Sequence, residues 1–115
     1  MKKSLLNEIP KDKVANMTLY RLGIFGNQSF EMVEIYSEED YPPHRHTNST
    51  ATFYIIFGEG KMILNGVEKQ YCKGDTFVIE KGVWHGFKPK TNTLLLSVQM
   101  PPIKNIKTGK EDIEF

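Results

Sequence analysis

The sequence predicts an all-β fold, a sandwich or a closed barrel, on three observations. Apolar, β-branched and aromatic residues fall in short runs at spacings near 8–12 residues. Turn residues separate the runs, above all Asn65-Gly66. No stretch carries a helical periodicity over three turns. About eight to ten short strands must close on one another, because isolated hairpins cannot bury their apolar faces.

The elements follow in order. Residues 1–16 are polar, broken at Pro10, and read as an N-terminal arm or a short edge strand. Leu19, Tyr20, Leu22, Ile24 and Phe25 form a run that stops at Gly26-Asn27. Phe30 to Tyr36 intersperses Glu31 and Glu34 with Val33 and Ile35, and Glu38-Glu39-Asp40 with Pro42-Pro43 interrupts it. Proline removes ladder donors and suits strand starts and edges. Thr50 to Phe57 is rich in β-branched and aromatic residues and ends in Gly58-Glu59-Gly60. Lys61–Leu64 and Val67–Cys72 flank Asn65-Gly66, a hairpin signal because both turn positions need positive φ. Lys73-Gly74-Asp75 leads into Thr76–Ile79, Lys81-Gly82 into Trp84–Lys88, and Leu94–Met100 is stopped by Pro101-Pro102.

The 115 residues suffice for one core, placed at 17–103 between the arm and a C-terminal tail at 104–115. Apolar residues are 39% of the chain and charged residues 25%, an ordinary globular balance. A formal charge of +1 gives no basis for a nucleic-acid surface. Lys104, Lys107 and Lys110, with Glu111, Asp112 and Glu114 after them, read as a solvated tail. Leu5-Leu6 is too short for a signal peptide, and the longest apolar run, Phe53 to Phe57, is too short to cross a bilayer. Cys72 is the sole cysteine, so no internal disulfide forms. A soluble, cytoplasmic protein without nucleic-acid or membrane partners is expected.

The chemistry centres on three histidines. His44 and His46 stand one residue apart in an extended segment, so their side chains share a face about 6.5–7 Å apart along the strand. Two imidazoles can span that gap to one metal at about 2.0–2.1 Å each. His85 lies on a different strand and joins them only if the sheet curls.

The run His44-Arg45-His46, with Gly58 closing it, and the run Gly74…Gly82-Val83-Trp84-His85 resemble the two motifs of the cupin superfamily, over roughly residues 40–100. The resemblance implies a double-stranded β-helix, or jelly-roll, barrel and a divalent metal on His44, His46 and His85. It departs at Ala51, where cupins usually place a glutamate ligand, at Glu80, where proline is usual, and at Pro89, where asparagine is. Two readings follow. A three-imidazole site leaves the ion its full +2 charge and open positions for water or substrate; alternatively, metal binding has decayed and the histidines only line a pocket. The ligand set does not choose among Fe, Zn, Ni, Mn and Cu.

Other candidates are secondary. Gln99 shares a face with Leu95 and Ser97 and reads equally as a residue reaching the outer shell of the metal or as an outward polar residue. Phe53, Ile55 and Phe57 share the parity of Ala51 and are expected inside. Trp84 and Phe87 read as a rim or a dimer contact, Tyr41 and Tyr54 as phenol donors, Glu80 as a solvated rim carboxylate, and Cys72 as a buried small residue. The functional expectations are a metal-dependent dioxygenase, isomerase or lyase acting on a small chelating anion, or a non-catalytic ligand-binding or sensing module. Association as a homodimer, with the arm taking part, is a further expectation.

Overall fold

The computed structural model describes residues 3–37, 41–104 and 110–115. Strand parity sets the architecture. In β3 (Gln28–Ile35) burial alternates, placing Ser29, Glu31, Val33 and Ile35 on one face. In β10 (Thr93–Met100) the same alternation buries Thr93, Leu95, Ser97 and Gln99, and in β5 (Thr50–Phe57) it buries Ala51, Phe53 and Ile55. These three strands are neighbours, so their buried residues form one continuous wall.

Around them are β1 (Lys11–Val14), β2 (Met17–Phe25) and β8 (Thr76–Ile79), giving a six-stranded sheet in the order β1-β2-β3-β10-β5-β8. The second sheet runs β4-β9-β6-β7, built from β4 (Tyr41–His44), β6 (Gly60–Leu64), β7 (Val67–Tyr71) and β9 (His85–Pro89). All recorded pairings are antiparallel. The inner faces enclose a core of Leu19, Val33, Ile35, Phe53, Ile55, Met62, Tyr71, Ile79, Phe87 and Leu95. Such double-sheet closure is the jelly-roll solution to covering an apolar sheet face.

The Asn65-Gly66 hairpin forms as read, with φ of 47° and 81°. Residues Lys11–Val14 of the N-terminal segment make an edge strand against β2, preceded by a 3-10 turn at Leu5–Glu8. Gly58 has a φ of +103°, and a Cβ there would lie 2.6 Å from the Asn92 carbonyl oxygen, so glycine is required at the close of β5.

Three expectations need correction. Phe57 is 56% exposed, not interior. Leu94 pairs with Phe57 and Leu95 with Ile55, so a bulge at Ile56 reverses the parity of the strand end. Phe87 is core, packed between Phe53 and Tyr71, rather than rim. Cys72 is exposed, because β7 ends at the inward Tyr71 and Cys72 starts the turn to Asp75.

Candidate metal centre

Strand β4 runs beside β9, and His44 and His85 are direct partners across that pair. His46 lies two residues on, with Arg45 between them turned toward Glu114. Curling of the four-stranded sheet thus brings all three rings together. Their candidate ligand nitrogens lie within 4.8 Å of one another, and all three residues are buried. Ring centroids are 4.2 Å apart for His44–His85, 5.1 Å for His46–His85 and 5.3 Å for His44–His46.

The hydrogen bonds prepare two rings for a metal. Nδ1 of His46 sits 2.6 Å from the Asp112 carbonyl oxygen, and Nδ1 of His85 sits 3.1 Å from that of Val83. A carbonyl only accepts, so each Nδ1 carries the proton and each Nε2 presents its lone pair. Nε2 of His85 is buried and has no hydrogen-bond partner among the described residues. Burial pushes the pKa of His46 down and that of His85 down to about 4, with His46 adding to the latter. Both rings are therefore neutral at pH 7, as metal ligation requires.

These residues fit a divalent ion. Tetrahedral ligands at about 2.0–2.1 Å lie about 3.3 Å apart, a spacing that modest ring rotations reach from this arrangement. Ala51 is fully buried beside Gln99 and brings no carboxylate, so the donor set consists of three imidazoles.

A segment read as solvated completes the centre. Over Lys110–Phe115 the chain is docked across the barrel mouth, not free in water. The Asp112 carboxylate accepts from the backbone N–H groups of Thr47, Asn48 and Ser49 and from the Thr47 hydroxyl, at 2.7–2.9 Å. Glu114 pairs with Arg45 through two backbone bonds and a side-chain fork. Phe115 lies against the His44 ring at 5.5 Å, and Arg45 lies over Trp84 at 4.8 Å. The charge run mimics a solvated tail, but Glu111, Asp112 and Glu114 each have a specific partner, while 105–109 lie outside the described residues.

Beside the histidines is a cavity of about 50 Å³, lined by His44, His46 and Ile113 and, from the six-stranded sheet, by Glu31, Phe53 and Gln99. Gln99 faces inward with Leu95 and Ser97, which decides between the inward and outward readings. Glu31 was not singled out from the sequence. Its parity with Val33 and Ile35 was the available signal. Of the remaining candidates, Tyr54 and Glu80 are exposed and Trp84 is half-buried, while the side chain of Tyr41 lies outside the described residues.

A double-sheet β-barrel with clustered inward histidines defines the class of small barrel proteins to which cupins belong. The cupin domain profile matches residues 31–98, well over half the chain, and the protein belongs to the cupin family. An uncharacterized protein of Aquifex aeolicus (strain VF5) is 32% identical over 71 residues, covering 62% of this chain. That match spans 56% of the relative's length. Among solved structures, Pac13, a nucleoside dehydratase studied from Streptomyces, superposes with a TM-score of 0.78 at 15% identity, covering 99% of this chain and 89% of its own. Ectoine synthase from P. lautus superposes with a TM-score of 0.74 at 18% identity, covering 89% and 79%. At these identities the superpositions establish the shared fold.

Proposed function

We propose that His44, His46 and His85 hold a divalent metal ion, of the Fe, Zn, Ni, Mn or Cu type, and that a small chelating anion takes its open positions. The observation that carries this reading is the buried, unpartnered Nε2 of His85, aimed at two further buried imidazoles. A buried acceptor left without a partner costs about 1–3 kcal/mol, and coordination removes that cost. A bound ion would supply Lewis-acid polarisation of an oxygen donor, strengthened by the absence of a ligand carboxylate. The chain's own contribution is orientation of His46 and His85 through the Asp112 and Val83 carbonyls, and an apolar lining that limits water.

Such a site suits a metal-dependent dioxygenase, isomerase or lyase. The small cavity and Ala51 favour a second reading, a binding or sensing module without turnover. Elemental analysis of protein purified without chelator tests the metal. A stoichiometric ion absent from His85→Ala supports it, and no uptake after reconstitution refutes it. Conversion of a bound anion, followed by mass spectrometry, then separates enzyme from sensor.

A homodimer is part of the proposal. The outer face of the six-stranded sheet carries rows Phe30–Val98–Thr52–Val78 and Met32–Leu96–Tyr54, with Tyr54 44% and Val78 58% exposed. A second copy of the chain would cover that apolar face. We place the protein in the cytoplasm, consistent with its lone cysteine.

A further inference from the structure

We propose that the pocket has a second polar pole, the Glu31 carboxylate, which binds the far end of a metal-held ligand. The ligand class it fits is a small chelating hydroxy acid or enediol bearing one more hydroxyl or amino donor beyond its chelating oxygens. This inference rests on the metal reading above and refines it.

Glu31 is 5% exposed on the inner wall of β3, where its neighbours Val33 and Ile35 are apolar core. Across β10 it faces Ser97, which in turn faces Phe53 on β5. Two strand spacings separate it from the β5 column, about 10 Å. Position 51, where a ligand carboxylate is missing, belongs to that distant column. Glu31 lines the same cavity as His44 and His46, and it lies outside the cluster of possible metal ligands. The space between is where a ligand would bridge.

The carboxylate is rigidly held. Oε1 accepts from Nε2 of Gln99 at 3.1 Å, and Oε2 accepts from Nη1 of Arg21. Gln99 is fixed in turn by Ser29 and Ser97. Each carboxylate oxygen can accept two hydrogen bonds, so each retains capacity for one more. Burial pushes the Glu31 pKa up, while Arg21 and Gln99 offset part of that rise.

The surroundings select for a donor. Arg21 spends its guanidinium on Glu31, on Asp12 at 3.3 Å and on Glu111 at 2.8 Å, so it is not available to a second anion. A far-end carboxylate would meet Glu31 with no cation left to pair with it, whereas a hydroxyl or ammonium would be accepted. Stability does not account for the cluster, because apolar residues replace buried ion pairs with little or no loss. A bulge at Leu22, directly after Arg21, marks the same place, and bulges commonly re-aim side chains beside sites.

The test uses the full chain loaded with Co(II), titrated calorimetrically with glycolate and with D,L-glycerate. Both chelate through a carboxylate and a 2-hydroxyl, and glycerate alone carries a further hydroxyl. The expected result is about tenfold tighter binding of glycerate, the worth of one hydrogen bond to a charged group. In Glu31→Gln the preference should fall below about threefold while glycolate affinity holds. Should that variant fail to fold, the Arg21→Met/Glu31→Leu double variant removes the whole pair and carries the same expectation. Equal affinities in the parent, no binding of either anion, or a preference undiminished in the variant would each overturn the second pole. Failure of the parent to take up Co(II) would instead overturn the metal reading.

Discussion

Replacing Asp112 by Asn tests how the segment 110–115 is fastened over the three clustered histidines. The carboxylate receives four hydrogen bonds, two on each oxygen, from Thr47, Asn48 and Ser49. An amide has one accepting oxygen, so its NH2 must face one pair of donors. The lower-cost orientation turns it to Thr47, whose hydroxyl can reverse and accept, and the Thr47 N–H loses its partner. One lost bond and two weakened ones amount to about 1–2 kcal/mol. The acidity of Asp112 gives a similar figure. Burial opposes ionisation, yet the four donors win and hold the carboxyl down at about 2, against an ordinary 3.8. The full shift corresponds to about 2.4 kcal/mol, and solvent screening of this partly exposed group reduces it to about 1 kcal/mol. Amide hydrogen exchange at Asn48 and Ser49 reads the effect locally, with about 5- to 30-fold faster exchange expected in Asp112→Asn at pH 7. Because the folded-state acidity is enhanced, the contribution is fully present above about pH 4 and is lost as pH falls toward 2. The parent should therefore approach the variant's behaviour over that window. Exchange rates that match at neutral pH would show that the carboxylate does not fasten the segment.

Ala51→Glu, next to Gln99 on the inner wall, should tighten divalent-metal binding while costing about 1–3 kcal/mol in packing; flat or weaker affinity in a folded variant would show that position 51 does not face the metal. Gly58→Ala forces a Cβ against the Asn92 carbonyl at positive φ and should lower the unfolding free energy by at least about 1–3 kcal/mol, read from denaturant midpoints. Tyr54→Lys on the outer sheet face should leave the thermal transition nearly unchanged and convert a dimer to a monomer in light scattering. A parent that is already monomeric would refute that assignment.

Most of the fold was legible because its signals are local. Alternation in Leu94–Met100 and the positive-φ pair Asn65-Gly66 need only neighbouring residues, and both formed as read. The histidine cluster was legible through the one-residue spacing of His44 and His46 together with the cupin pattern that includes His85. What escaped depended on pairing. The Ile56 bulge that turns Phe57 outward exists only because β10 steps one residue while β5 steps two. Glu31 was not singled out, although it shares parity with Val33 and Ile35, and the structure buries all three on one face. Asp112 finds its partners at Thr47–Ser49, more than sixty residues back, and no local pattern encodes that.

The position of β10 governs the order of assembly. It lies between β3 and β5, so until Leu94–Met100 is in place the larger sheet is two separate ribbons, β1-β2-β3 and β5-β8. Each ribbon then exposes an inner edge of unpaired amides and carbonyls, the kind of template on which chains stick together. Most of the pairings that remove those edges are long-range in sequence, which slows folding. Substitutions that weaken β10 should consequently appear first as poor recovery of soluble protein, before any change in the histidine cluster is seen.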